Sequence, residues 1–129
     1  MKKTRMSRRA FLNAGSDAAK GSCIILTMPM ILAACGQAND ARTNNTDFRL
    51  LSEEEVLEYS AISARIIPSN ATPGATEAGV IYFIDTVVAD DREAEHQILK
   101  DGLVTLQSEA TAQFGVASFY LLNEEQQDQ

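Results

Sequence analysis

Few side chains in this sequence are of a kind that does chemistry, so their placement decides what they can do. The single histidine, His96, follows Asp91, Glu93 and Glu95, which sets an imidazole beside three carboxylates at the start of a polar segment. Histidine with flanking acids is the minimum for a general base or a small metal site. The same residues also make an ordinary solvated charged face, which needs no ligand. Asp85 is less ordinary, because Phe83, Ile84 and Val87 surround it in sequence. A carboxylate on so apolar a stretch is either a local hydrogen-bond partner or a group for an interface. Cys23 and Cys35, the two cysteines, lie within and just after an apolar run, away from the acids. Thiolate metal clusters and a disulfide inside the remaining domain therefore drop out. No G-x-G-x-x-G, C-x-x-C-H, phosphate loop or internal repeat occurs. A dehydrogenase needs a cofactor cradle and a proton-transfer group, and the sequence supplies neither.

Charge narrows the function classes further. Six of the 11 Lys and Arg, but only one of the 18 Asp and Glu, precede Cys35, leaving 5 basic and 17 acidic side chains, a net charge of −12, in the rest. Acidity of that size repels nucleic acid phosphates and gives no electrostatic hold on anionic lipid.

Residues 21–34 form the apolar run, which is short of the roughly 20 residues a membrane-spanning helix needs and is broken by Thr27 and Pro29. It reads as the core of an export signal. Upstream, Ser7-Arg8-Arg9-Ala10-Phe11-Leu12 resembles a twin-arginine (Tat) signal, a route that carries folded proteins, with Arg8, Arg9, Phe11 and Leu12 as its determinants. Downstream, Leu32-Ala33-Ala34-Cys35 resembles a lipobox, in which Cys35 takes the lipid and becomes the new N-terminus. Cleavage after Ala38 by the ordinary signal peptidase is the other reading. Residues 1–34 are thus expected to be a signal peptide, 35–48 a flexible polar tether, and 49–129 a helical domain.

The domain's helices are signalled locally. Ser52 with Glu55 makes a capping box, Val56, Tyr59 and Ile62 recur at helical spacing, and Pro68 ends the helix. Pro73-Gly74 suits the centre of a type II turn, and Thr76 is placed to cap a nearly all-apolar helix running to Ala89. Asp90-Asp91 can cap the next helix, Ala94 to Phe114, with Gly115 as its C-terminal stop. Asn123 followed by Glu124, Glu125 and Gln126 begins a fourth. The expected fold is all-α, with three to four helices.

Ile66-Ile67-Pro68, Thr72-Pro73-Gly74-Ala75, Glu77-Ala78-Gly79-Val80 and Phe83-Ile84-Asp85 together resemble the signature of the gluconate 2-dehydrogenase subunit 3 family, over about residues 51–126. The resemblance implies a non-catalytic small subunit with no cofactor of its own. Its partner would be a large FAD-containing oxidoreductase of the glucose-methanol-choline type, often joined by a cytochrome c that carries haem. It also implies an escort role, the small subunit's Tat signal exporting the folded flavoprotein to the periplasmic side of the envelope. Pro68, Pro73, Gly74, Phe83 and Asp85 are the expected partner-interface residues. Members usually continue further than this sequence, so a C-terminally short member is expected. A free-standing envelope lipoprotein that acts as a binding module is the alternative, and a small enzyme built on His96 a weaker one. Replacing Arg8 and Arg9 together by lysine is expected to leave unprocessed precursor in the cytoplasm. Normal processing of that variant through the general secretory route would refute the Tat assignment.

Overall fold

The computed structural model describes residues 26–89 and 91–129; Arg8, Arg9, Phe11, Leu12, Cys23 and Asp90 lie outside the described residues. The described residues are helical with no strands, as the sequence predicts. Six α-helices follow one another: α1 (Met28–Thr43), α2 (Glu53–Ile66), α3 (Ala75–Ala78), α4 (Val80–Ala89), α5 (Glu93–Phe114) and α6 (Glu124–Gln127). A 3-10 turn, Phe119–Leu121, stands between α5 and α6. None of the described helices is long and apolar enough to cross a membrane.

α2 begins as its sequence dictates. The Ser52 hydroxyl accepts from the Glu55 N–H while the Glu55 carboxylate accepts from the Ser52 N–H, and three glutamates line the first turn. α5 ends at Gly115, whose φ of 71° is the left-handed conformation that glycine adopts without strain. Its start differs from expectation: Arg92 holds the N-cap position and makes no side-chain cap. α6 is a single turn, closed by a reciprocal box between Asn123 and Gln126.

Two segments depart from the sequence reading. The expected helix from Thr76 to Ala89 is two helices, because Gly79 turns left-handed at φ 69° and donates its N–H to the Ala75 and Thr76 carbonyls. The expected flexible tether is helical as far as Thr43. In α1, Ala34 and Ala38 stand four residues apart on one face and are buried where α1 lies along α4. Small side chains let the two backbones approach, and this tertiary packing outweighs the polar composition of residues 36–43. The nearly all-apolar α4 thus receives cover within the chain from α1.

The core has two parts. Leu51, Tyr59, Val88 and Leu103 form one, and Ala110, Phe119 and Leu122 the other, with Ile62 of α2 packed against both. α2 is the shared wall. Into each part runs a buried carboxylate that binds backbone from a non-helical stretch. Asp85 accepts N–H groups of Arg49 at 2.8 Å and of Leu50 and Leu51 at 3.0 Å, which ties the chain between α1 and α2 to α4. Glu58, with no exposed surface, accepts from Phe119 N–H at 3.1 Å, Tyr120 N–H at 3.0 Å and the Gln107 amide at 2.8 Å. Phe48 adds a ring stacked on Tyr82, 4.9 Å between centroids, beside the Asp85 tie.

Three charge-assisted bonds each are what permit these acids to leave water. Removing one acceptor strands donors inside the protein, at about 1–3 kcal/mol for each unsatisfied group. Glu58→Ala is therefore expected to cost about 3–5 kcal/mol, a large part of a small domain's stability. Glu58→Gln should cost less, since it keeps one carbonyl acceptor. Urea denaturation followed by circular dichroism checks both, and an unchanged midpoint for Glu58→Ala would show that the tie contributes nothing.

Candidate functional site

His96 and the acids before it do not form the cluster that their spacing allowed. Its ring reaches across to α2 instead, with Nε2 at 2.7 Å from Glu55 Oε1, and both side chains are about nine-tenths covered. Glu95 pairs with Arg92 at 3.2 Å. Both oxygens of Glu55 are thereby spent, one on the imidazole and one on the Ser52 N–H. Such a pair joins the first turns of two helices across the gap between them. Among the described residues, no group of three or more His, Cys, Asp or Glu side chains is arranged to hold a metal ion.

Next to this pair, Tyr59 is buried with its hydroxyl unpartnered. Its ionisation is pushed up to about 12, by burial first and then by the charges of Glu55 and Glu58. A phenol so protected packs as a core side chain, beside Leu51, Val88 and Leu103.

The other distinctive feature is the connection from α2 to α3. Asn70 and Thr72 close a small turn, Asn70 N–H donating to the Thr72 carbonyl and Thr72 N–H to the Asn70 side chain. Glu77 accepts from the Gly74 N–H at 2.9 Å and from the Ser69 hydroxyl. Those bonds hold its carboxyl below its ordinary value, with the Ser69 hydroxyl the largest contributor. Ala75 N–H returns to the Ile67 carbonyl at 2.9 Å. Gly74 is extended, with φ −93° and ψ −164°, and serves as the N-cap of α3. The type II turn expected at Pro73-Gly74, with its positive φ, is therefore absent. Glycine is needed here for space: a Cβ would stand 2.6 Å from the Ile67 carbonyl oxygen and 2.6 Å from the Ser69 nitrogen. Pro68 and Pro73 are exposed on the same connection.

A family model described as gluconate 2-dehydrogenase subunit 3 matches residues 52–129, more than half of the chain. The chain belongs to this family. Comparison with curated proteins and with solved structures gave no match. The matched span starts at the N-cap of α2 and takes in every element from there to α6. Both buried acids that bind backbone, Glu58 and Asp85, lie inside it.

Of the interface residues expected for a subunit 3 protein, Pro68, Pro73 and Gly74 share the connection just described. Phe83 lies half-buried on α4, apart from them in the chain. Asp85 is buried, and its carboxylate is occupied by residues 49–51, the hydrogen-bonding role of the two the sequence left open. Cys35, the expected lipid carrier, is exposed in the middle of α1. Sequence reasoning passed over Glu58. Its signal was available: a glutamate directly before Tyr59 and one turn before Ile62 belongs to the covered side of its helix.

Glu55 supplies a pH test. Burial alone would raise its carboxyl, but the Ser52 N–H, the His96 ring and the Ser52 hydroxyl outweigh that and hold it below its ordinary 4.5. A carboxyl depressed by folding stabilises the fold above its unfolded value, and that contribution is lost as pH falls through the folded value. The urea midpoint is therefore expected to fall as pH drops below about 4.5, and less steeply in Glu55→Gln. Equal slopes for the two proteins would show that the pair carries no linkage.

Proposed function

We propose that this chain is the accessory small subunit of a periplasmic, membrane-associated, FAD-dependent dehydrogenase of sugar or gluconate type. In this reading it is exported by Tat with its folded flavoprotein partner, assists that partner's maturation, and anchors the complex through a lipid on Cys35. The observation that carries the reading is the family match across the whole domain, since the family is that of a dehydrogenase subunit. The site agrees in character: the acids and the histidine are consumed in holding helices and loops together. FAD would reside in the large subunit, and haem in a cytochrome c subunit where one is present. This chain's own share is surface and address. The division into signal, tether and domain belongs to the same proposal, with one structural addition. Cleavage before Cys35 would divide α1 and leave residues 35–43 as the part of that helix still lying on α4.

Purification of the tagged full-length protein from its own host in mild detergent tests the reading. A large yellow protein is expected to co-purify, with flavin absorbance and dehydrogenase activity in the same fraction. A colourless monomer bearing a lipid would favour a free-standing binding lipoprotein and overturn the subunit assignment.

A further inference from the structure

Ile66 and Ile67 are 72% and 52% exposed at the end of α2, next to exposed Pro68 and Pro73. Two adjacent isoleucines turned to water form an apolar patch that the fold itself does not explain. Their surroundings are built and not loose. The Ile67 carbonyl receives the Ala75 N–H, Gly74 is pressed against the backbone of residues 67–69, and Glu77 fastens both Ser69 and Gly74. A patch already fixed in shape loses little conformational freedom on binding. From Ile66 to Thr76 no side chain is ionisable. The adjoining surface is acidic: Arg65 lies 3.6 Å from both Glu124 and Asp128, whose side chains are 83% and 62% exposed, so two carboxylates answer one guanidinium. Glu125, also exposed, adds a third.

We propose that Ile66, Ile67, Pro68 and Pro73 form the hook by which this chain docks its large subunit. The complementary site is an apolar pocket flanked by lysine or arginine on the side that faces α6. Both the rigid uncharged tip and the acidic flank select for it, because an acidic rim on the partner would be repelled and a polar pocket would leave the isoleucines uncompensated. The inference rests on the subunit reading given above and adds the surface and the chemistry of its counterpart.

The full-length protein, co-expressed with its large subunit, provides the test. The double variant Ile66→Asp with Ile67→Asp is expected to lose co-purification of the flavoprotein by at least tenfold, with unchanged helicity and urea midpoint because both positions face water. Val104→Asp, an equally exposed apolar position on α5, should retain it. Glu124→Lys with Asp128→Lys should weaken binding severalfold and flatten its dependence on salt. Undiminished capture by the double aspartate variant would overturn the hook while leaving the subunit reading intact. Failure of the unaltered protein to capture any flavoprotein would instead bring down the subunit reading. A concentration-dependent dimer of the unaltered protein, abolished by the aspartates, would assign the patch to a second copy and equally overturn the proposal.

Discussion

The C-terminal part of the fold, from α5 to α6, depends on one carboxylate placed where water cannot reach it. Glu58 takes two successive backbone N–H groups from the 3-10 turn and an amide from α5, so three segments distant in sequence meet on one side chain. Hydrophobic contact alone would press the 3-10 turn against α2 without fixing its orientation, since burial of apolar area has no direction. Hydrogen bonds to a fixed acceptor supply the direction. Once the turn is fixed, Phe119 and Leu122 enter the second core and Gln127 bonds back to the Phe119 and Leu122 carbonyls. α6, a single turn that would not persist by itself, is thereby seated.

Asp85 repeats the device at the other end of the molecule, where residues 49–51 carry the chain from α1 into α2. Consecutive N–H groups in a non-helical stretch make a small anion-binding concavity, here filled by a residue of the same chain. Among the described residues, two non-helical stretches are thus stapled to a helix from inside by a buried acid. Short helices and a charge-free connection from α2 to α3 can then be arranged without disulfides, which suits a domain whose described residues contain one cysteine, outside the core.

What the sequence disclosed and what it withheld divide along a physical line. The Ser52–Glu55 box, the glycine stop at 115 and the Asn123–Gln126 box are interactions among residues a few positions apart, and each was legible from residue type and spacing. The path of α1 was not. Residues 36–43 are polar and rich in turn formers, and only the presence of the α4 surface makes Ala34 and Ala38 a packing face. Gly74 misled for a related reason. Its neighbour Pro73 announces a turn, whereas the requirement it meets is close approach to the backbone of residues 67–69. Glu58 and His96 likewise took partners 41 to 62 residues away, beyond any local pattern. For family membership, the motifs around Pro68, Pro73 and Phe83 were informative where the titratable residues were not.

The two internal acids contact main chain, and main chain is nearly the same whatever the side chain. Glu58 and Asp85 therefore constrain their own positions tightly and those of their partners hardly at all. Leu50 and Tyr120 present N–H groups that almost any residue would present, so these positions are free to drift as an organism's partner proteins drift. Proline alone is barred from them, having no N–H to give. Members of the family should then differ freely at the surface of these stretches while keeping an acid on α2 and another on α4. A search for such paired acids at this spacing would find relatives whose outward faces have nothing else in common.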